Sequence, residues 1–307
     1  MYIGIDIGGT KTAVILSDDS GKITGRTAFP TLSKDETLKK VYALVEEAGP
    51  ARAIGISCGG PLDEAKGLIL SPPNLPGWDN VQIVKDMSER FGTKVRLCND
   101  ANACALAEWR FGAGQGTKNM IFMTFGTGLG AGLILDGKLY AGTNGNAGET
   151  GHIRLTDYGP VGYGKAGSFE GYCSGGGIRQ LGRTFALEQL QTGKSCAYCR
   201  SMDELDQITA KSIAEAADAG DPVAKHVYAF CGEKLGYGLS ILIDLFNPEA
   251  IVIGSIFARS GHLLRESMER VIRENALPSS WSVCRIVPAA LGEQIGDYGA
   301  IAAAMMA

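Results

Sequence analysis

The sequence predicts an α/β fold made of a duplicated β-sheet with flanking helices, arranged as two domains with a cleft between them. Three observations predict it. Short β-branched runs alternate with amphipathic stretches along the first hundred residues, which is the pattern of an α/β domain. The second half then starts over with the same strand, Gly/Thr turn, strand sequence that opens the first. Glycine is abundant, 43 in 307 residues without a three-residue period; at about twice the usual share it marks tight turns and close backbone approaches. At roughly 100 to 200 residues per domain, this length also fits two domains.

In the first half, Tyr2 to Ile7, Lys11 to Leu16 and Lys22 to Phe29 read as a meander of strands. The Gly8-Gly9-Thr10 and Asp18-Asp19-Ser20-Gly21 turns join them. Leu38, Val41, Leu44 and Val45 form a helical stripe over Thr37 to Ala48, stopped by Gly49-Pro50. A buried strand follows at Ala53 to Ser57. Residues 58 to 78, dense in glycine and proline, read mostly as loop. A helix at Val81 to Phe91, a strand at Lys94 to Cys98 and a helix at Ala101 to Phe111 complete this half, with Gly112 to Gly116 ending the last helix.

The second half opens with strands at Met120 to Phe125, Leu129 to Leu135 and Lys138 to Tyr140. A glycine-dense loop spans Ala141 to Gly177. Helices follow at about Ile178 to Leu190, Thr209 to Ala219 and Asp221 to Phe246, then a strand at Ala250 to Ile253 and a helix at about Gly261 to Asn275. A strand at Ser282 to Val287 and an Ala-rich terminal helix close the chain. The expected domains are residues 1–110 with 292–307, and residues 111–291.

Charge excludes little by being bland: 29 Lys+Arg against 33 Asp+Glu give −4, with no run of five like charges. Neither a nucleic-acid partner nor a membrane surface is therefore expected. No apolar stretch reaches the roughly 18 residues of a membrane span. Eight cysteines are too sparse for a disulfide scaffold, and a strand-like segment stands where a signal peptide would be, so a soluble cytoplasmic protein with reduced thiols is expected.

Asp6-Ile-Gly8-Gly9-Thr10-Lys11-Thr12 and Gly126-Thr127-Gly128-Leu129-Gly130 are the two Gly/Thr turns. Such a turn surrounds a concavity with backbone N–H groups and a hydroxyl, which can hold phosphate oxygens. A carboxylate at the end of an apolar strand, as at Asp6, is costly unless it is paired or near a metal, and Mg²⁺ on a triphosphate would be its partner. Asn99-Asp100, at a strand-to-helix junction, reads either as a helix cap or as a general base with a substrate-fixing amide beside it. Ala147-Gly-Glu149-Thr-Gly-His152 places a carboxylate and an imidazole in a loop without hydrophobic period. With Glu170, Asn74 and the Gly59-Gly60-Pro61 turn they offer the hydrogen-bonding set a polyhydroxylated ligand demands.

These motifs, in this order, resemble those of the ROK family of sugar kinases and repressors, within the actin-like, ribonuclease H-like ATPase fold, over nearly the whole chain. The resemblance implies an ATP- and Mg²⁺-dependent sugar kinase, glucokinase-like by default. Fructose, mannose, allose or an N-acetylhexosamine are alternatives. Asp100 would be the catalytic base. Gly60, Asn74, Asn99, Asp100, Glu149, His152 and Glu170 would contact the sugar. Asp6, Gly8, Gly9, Thr10, Lys11, Thr12, Gly126, Thr127, Gly128, Gly130 and Gly254 would hold the nucleotide. It also implies a homodimer. Family members with structural zinc carry three cysteines at positions that here are Val161, Tyr163 and Ser168, so no structural zinc is expected, although Cys173, Cys196 and Cys199 could form a different site with His152. Gly254-Ser255-Ile256 departs from the family's run of glycines.

Other readings compete. Gly55-Ile-Ser57-Cys-Gly59 matches a serine-hydrolase nucleophile elbow, but Gly60-Pro61 follows where a helix is required. Gly162-Tyr-Gly-Lys-Ala-Gly167 lies in an irregular loop rather than a βαβ unit, and Gly193-Lys194-Ser195 lacks the upstream glycine of a P-loop. A ROK-type repressor would carry a helix-turn-helix extension ahead of the Asp6 segment, and a sugar sensor without catalysis is the remaining non-enzyme reading.

Overall fold

The computed structural model describes residues Met1 to Ala307. They form two compact units, Met1–Phe122 with Gly132–Gly148 and Ala290–Ala307, and Met123–Ala131 with Glu149–Ala289. The expected first domain lies inside the first unit, which also takes in residues 111–122, 132–148 and 290–291.

The chain opens with the strands β1 (Tyr2–Ile7), β2 (Lys11–Ser17) and β3 (Ile23–Pro30), an antiparallel meander. Asp18 closes the second turn by accepting the Ser20 and Lys22 N–H groups at 2.9 and 3.0 Å. Helix α1 (Lys34–Ala48) starts three residues before the apolar stripe, because its first turn is the polar Lys34-Asp35-Glu36 that no hydrophobic pattern reveals. Strand β4 (Ala53–Cys58) is buried at all six positions and lies parallel to β1. The segment expected to be mostly loop contains a hairpin, β5 (Leu62–Asp63) and β6 (Leu68–Ile69). Helix α2 (Ile83–Phe91), strand β7 (Lys94–Asn99) and helix α3 (Asp100–Phe111) follow. The sheet order is β3-β2-β1-β4-β7. One face of this sheet packs on Val41, Val45, Trp78, Ile83 and Met87.

The second sheet repeats the plan. Strands β8 (Met120–Met123), β9 (Ala131–Leu135) and β10 (Lys138–Tyr140) come first; a 3₁₀ turn at Thr150–His152, the hairpin β11 (Val161–Gly162) and β12 (Lys165–Ala166), and helices α4 (Phe169–Tyr172), α5 (Gly175–Gln191), α6 (Ala210–Asp218) and α7 (Pro222–Phe246) follow. Strand β13 (Ala250–Ile253), helices α8 (Ile256–Asn275) and α9 (Pro278–Trp281), strand β14 (Arg285–Pro288) and helix α10 (Ile295–Met305) complete the chain. The order β10-β9-β8-β13-β14 is again third, second, first, fourth, fifth by appearance. Helix α8 begins five residues before the expected Gly261, because Ser260 (φ −125°, ψ 17°) kinks it and the sequence shows only the straight part. No helix is long and apolar enough to cross a membrane.

Within the first unit, α10 lies on β1, β4 and α3. Contact with β4 is so close that a Cβ on Gly55 would meet the Ala300 carbonyl and the Ala304 N–H. The Gly55-x-Ser57-x-Gly59 match is thus accounted for by packing, and Ser57 is a buried strand residue paired with Asp6. Glu108, fully buried on α3, accepts the N–H groups of Ala113 (2.8 Å), Ala290 (3.1 Å) and Leu291 (2.9 Å). Its charge is matched by backbone donors instead of a basic side chain.

Candidate active site

In the first unit the Gly8-Gly9-Thr10 turn is tied down by Gly8 N–H to the Lys11 carbonyl (3.0 Å) and by Thr31 Oγ1 donating to the Gly8 carbonyl (2.6 Å). Gly9, Thr10 and Lys11 are exposed on it. Thr12 differs: it is buried, with its hydroxyl on that of Thr31 at 2.8 Å, so it braces the turn from beneath. Gly9 must be glycine, since a Cβ there would lie 2.5 Å from the Asn74 carbonyl oxygen. That contact brings the Pro73-Asn74-Leu75 loop against the first turn.

Asp6 is the next-to-last residue of β1, paired between Ala13 and Ser57. Burial pushes its carboxyl up to about 6; the Asp297 and Asp100 charges add to this, and a hydrogen bond to Ser57 and the charge of Arg26 oppose it. Arg26 is itself committed to Asp297 at 2.7 Å. A half-buried carboxylate so short of positive charge fits a hydrated Mg²⁺ held partly by phosphates, not a closed protein cage. No group of three or more metal-binding side chains gathers anywhere in the chain.

The Asn99-Asp100 corner joins β7 to α3. Asn99 is the helix cap, its Oδ1 accepting from Ala101 and Asn102 N–H at 3.0 and 3.5 Å. Its amide Nδ2 then faces the Gly59-Gly60 turn, 3.6 Å from where a Cβ on Gly60 would stand. Asp100 Oδ1 accepts the Ala101 N–H at 2.8 Å, and Oδ2 lies 3.7 Å from the corresponding position on Gly59. Burial raises the Asp100 pKa above its ordinary value, against the lowering effect of its backbone hydrogen bonds. Sequence reasoning missed Glu64, which follows β5 and accepts the Asn99 N–H (2.8 Å) and the Asn102 amide (3.3 Å). Nothing in a hairpin of this length signals that role. The cap and base readings of this corner are therefore compatible: Asn99 caps, while Asp100 is held beside the Gly59-Gly60 turn.

In the second unit the Gly126–Gly130 turn is closed by Gly126 N–H to the Gly128 carbonyl (3.1 Å) and by Gly130 N–H to Thr124 Oγ1 (2.8 Å). The Gly175 N–H binds the Gly126 carbonyl at 2.8 Å, tying α5 to it. Glu170, in the short helix α4, accepts the Leu129 N–H at 3.0 Å. This carboxylate thus holds the second Gly/Thr turn, a contact the motif did not reveal. Glu149 precedes the 3₁₀ turn and His152 ends it; both are exposed, and His152 is edge-on to Tyr163 at 5.3 Å. Gly254 is buried, its N–H on the Met123 carbonyl at 2.9 Å.

A cavity of about 1110 Å³ opens beside this turn. Gly126, Thr127 and Ser255 line it, together with the cationic Arg179, Lys211 and Arg259. The three cations sit on three different helices, so no sequence window groups them. Of the possible zinc positions, Val161 and Tyr163 are exposed and Ser168 is buried, where its hydroxyl caps α4. Cys173 lies against Cys231, while Cys196 and Cys199 face each other in a β-bridge.

Two sheets of one strand order define the class: this is a duplicated ATPase fold of the actin and hexokinase kind. The chain belongs to the ROK family, whose model matches residues 2–306. It is 31% identical over 305 residues to the glucokinase of Thermotoga maritima, covering 97% of this chain and 95% of that one. It is 33% identical over 308 residues to the glucokinase of Streptomyces coelicolor, covering 98% and 96%. Among solved structures, a ROK family glucokinase from Streptomyces griseus in complex with glucose and AMPPNP matches with a TM-score of 0.75 at 34% identity, over 100% of this chain and 98% of that one.

The expectation of no nucleic-acid partner does not stand. The xylose repressor of Caldicellulosiruptor bescii is 29% identical over 98% of this chain and 77% of its own length. The DNA-binding transcriptional dual regulator NagC of Escherichia coli is 29% identical over 99% and 76%. Proteins similar to this chain over nearly its whole length thus include a repressor and a DNA-binding regulator. Total charge misled because binding to phosphates depends on a local basic surface, which a near-neutral sum does not exclude.

Proposed function

We propose that Asp100 is the general base of the reaction, taking the proton of a hexose hydroxyl, by default the 6-hydroxyl of glucose. The chain is an ATP-dependent sugar-phosphorylating kinase of the glucokinase type, as its family and its glucokinase relatives support. The observation that carries the proposed role is the Asp100 carboxylate, which stays exposed to an incoming hydroxyl while the protein atoms packed around it raise its pKa, and which is held at one oxygen by the Ala101 N–H. A base must be both positioned and sufficiently basic, and phosphoryl transfer asks for little else from the protein.

In this reading the sugar oxygen forms its bond to the γ-phosphorus as its proton passes to Asp100. The bond from that phosphorus to the β,γ-bridging oxygen breaks, and ADP leaves. Asn99 Nδ2 and the exposed Asn74, Glu149 and His152 hold sugar hydroxyls. The two Gly/Thr turns present N–H groups to the phosphates, and the 1110 Å³ cavity takes the nucleoside. Asp6 would hold Mg²⁺, which when bound neutralises charge on the transferred group. Glu170 keeps the second turn in shape. Structural zinc has no part in the proposal, and the protein acts in the cytoplasm, where ATP is available.

The test is ADP release with Mg-ATP and, in turn, glucose, mannose, fructose, allose, N-acetylglucosamine and N-acetylmannosamine. Release with at least one of them is expected. The similarity to sugar repressors favours one second reading, a sensor that binds a sugar without phosphorylating it. Saturable sugar binding with no ADP release from any of the six would establish that reading instead.

A further inference from the structure

Gly254 to Phe257 form a tight turn in which the Phe257 N–H donates to the Gly254 carbonyl at 3.2 Å. Ser255 is its second residue, with φ 51° and ψ −109°. These are the torsions of the first central residue of a type II′ turn, a place that glycine dominates because a side chain there is strained. Strain of this kind persists where the surroundings over-determine it, and it concentrates at ligand sites. Here the surroundings do so on both sides: Gly254 N–H binds the Met123 carbonyl and Ile256 N–H the Phe125 carbonyl, each at 2.9 Å. Yet the strained serine makes no hydrogen bond to cap α8, which begins at the next residue. Its side chain is exposed and lines the 1110 Å³ cavity. A Cβ built on Gly126 would lie 3.5 Å from Ser255 Oγ, so the hydroxyl stands at the first glycine of the second Gly/Thr turn.

We infer that Ser255 is a donor-binding residue whose hydroxyl hydrogen-bonds a phosphate oxygen of the bound adenosine di- or triphosphate beside Gly126. The inference rests on the kinase reading of the cavity. The fixed turn aims the hydroxyl at the phosphate chain, so the contact distinguishes phosphorylated nucleotides from the bare nucleoside.

Calorimetric titration of the full chain tests this with Mg-ADP, and with adenosine by competition, on the wild type and on Ser255→Ala and Ser255→Gly. Both variants lose the hydroxyl, and only glycine relieves the torsional strain. Both are expected to bind Mg-ADP about tenfold more weakly, the loss of a hydrogen bond to a charged group, with adenosine binding unchanged. The glycine variant should also melt about 2 °C higher than the alanine variant. Wild-type Mg-ADP affinity in both variants, or an equal loss for adenosine, would overturn the inference even if the enzyme phosphorylates sugar. Conversely, a wild type that binds Mg-ADP with the expected losses in the variants, but releases no ADP from ATP with any sugar, would overturn the kinase reading and leave the Ser255 contact standing.

Discussion

At Asp100 one side chain serves the helix and, in the proposed mechanism, the chemistry. Its Oδ1 accepts the Ala101 N–H, and its burial raises its pKa above the ordinary 3.8. Asn in its place keeps an oxygen for that N–H but cannot accept a proton. Asp100→Asn is therefore expected to lower kcat by about 10²- to 10⁴-fold with little change in the KM for sugar; normal turnover in this variant would remove Asp100 from the chemistry. Stability should move the other way. Because the folded pKa lies above the unfolded one, Asp100 favours the fold below the ordinary carboxylate range, and that contribution is lost as pH rises through the folded value. A neutral Asn escapes that loss, so the variant should melt above the wild type at pH 7, with the gap closing at about pH 3. In the wild type, kcat/KM should fall as pH drops through the raised Asp100 value, and this acid limb should be absent from the residual activity of the variant.

Helix α3 shows how an element carries a site and why only part of it was legible. Its start was readable, because Asn99 before a run of alanines is a cap signal; likewise the strands Tyr2–Ile7 and Ala250–Ile253 fall where β-branched runs placed them, and Lys138–Tyr140 where the repeated strand-turn-strand order placed it. Glu108, nearer the other end of the same helix, was not readable. A glutamate in a helix is ordinarily solvated, and its three donors come from residues 113, 290 and 291, two of them far along the chain. Glu64 escaped for the same reason, and Glu170, expected at the sugar, showed nothing in the sequence of its bond to the second Gly/Thr turn: each binds a backbone N–H, which every residue but proline carries and no motif marks. Glu108→Gln turns an acceptor oxygen into a donor facing backbone donors. Its denaturant midpoint should fall by the equivalent of about 1 to 3 kcal/mol, and an unchanged midpoint would show that the buried carboxylate contributes nothing to joining α3 to the start of the α10 segment.

Across the whole molecule the two sheets share one strand order but not the same connection between their third and fourth strands. In the first sheet that connection is residues 31–52 and holds one helix, whereas in the second it is residues 141–249. The longer segment supplies Glu149, His152 and Glu170 as well as Arg179 and Lys211 of the cavity, so the duplication gives the scaffold and this one expansion gives much of the proposed recognition. The cavity lies entirely within the second unit, each of its lining residues falling in Met123–Ala131 or Glu149–Ala289. A nucleotide at about 100 times its Kd stabilises the form that binds it by about 2.7 kcal/mol, and amides that exchange by opening that form slow accordingly. Saturation with a non-hydrolysable ATP analogue and Mg²⁺, without sugar, should therefore slow hydrogen exchange in residues 126–130, 175–179, 209–215 and 254–260. Strand β3 and helices α1 and α2, which include neither a cavity residue nor a residue proposed to hold the nucleotide or Mg²⁺, should exchange as before. Protection confined to those three elements, with the cavity segments unaffected, would place the nucleotide elsewhere.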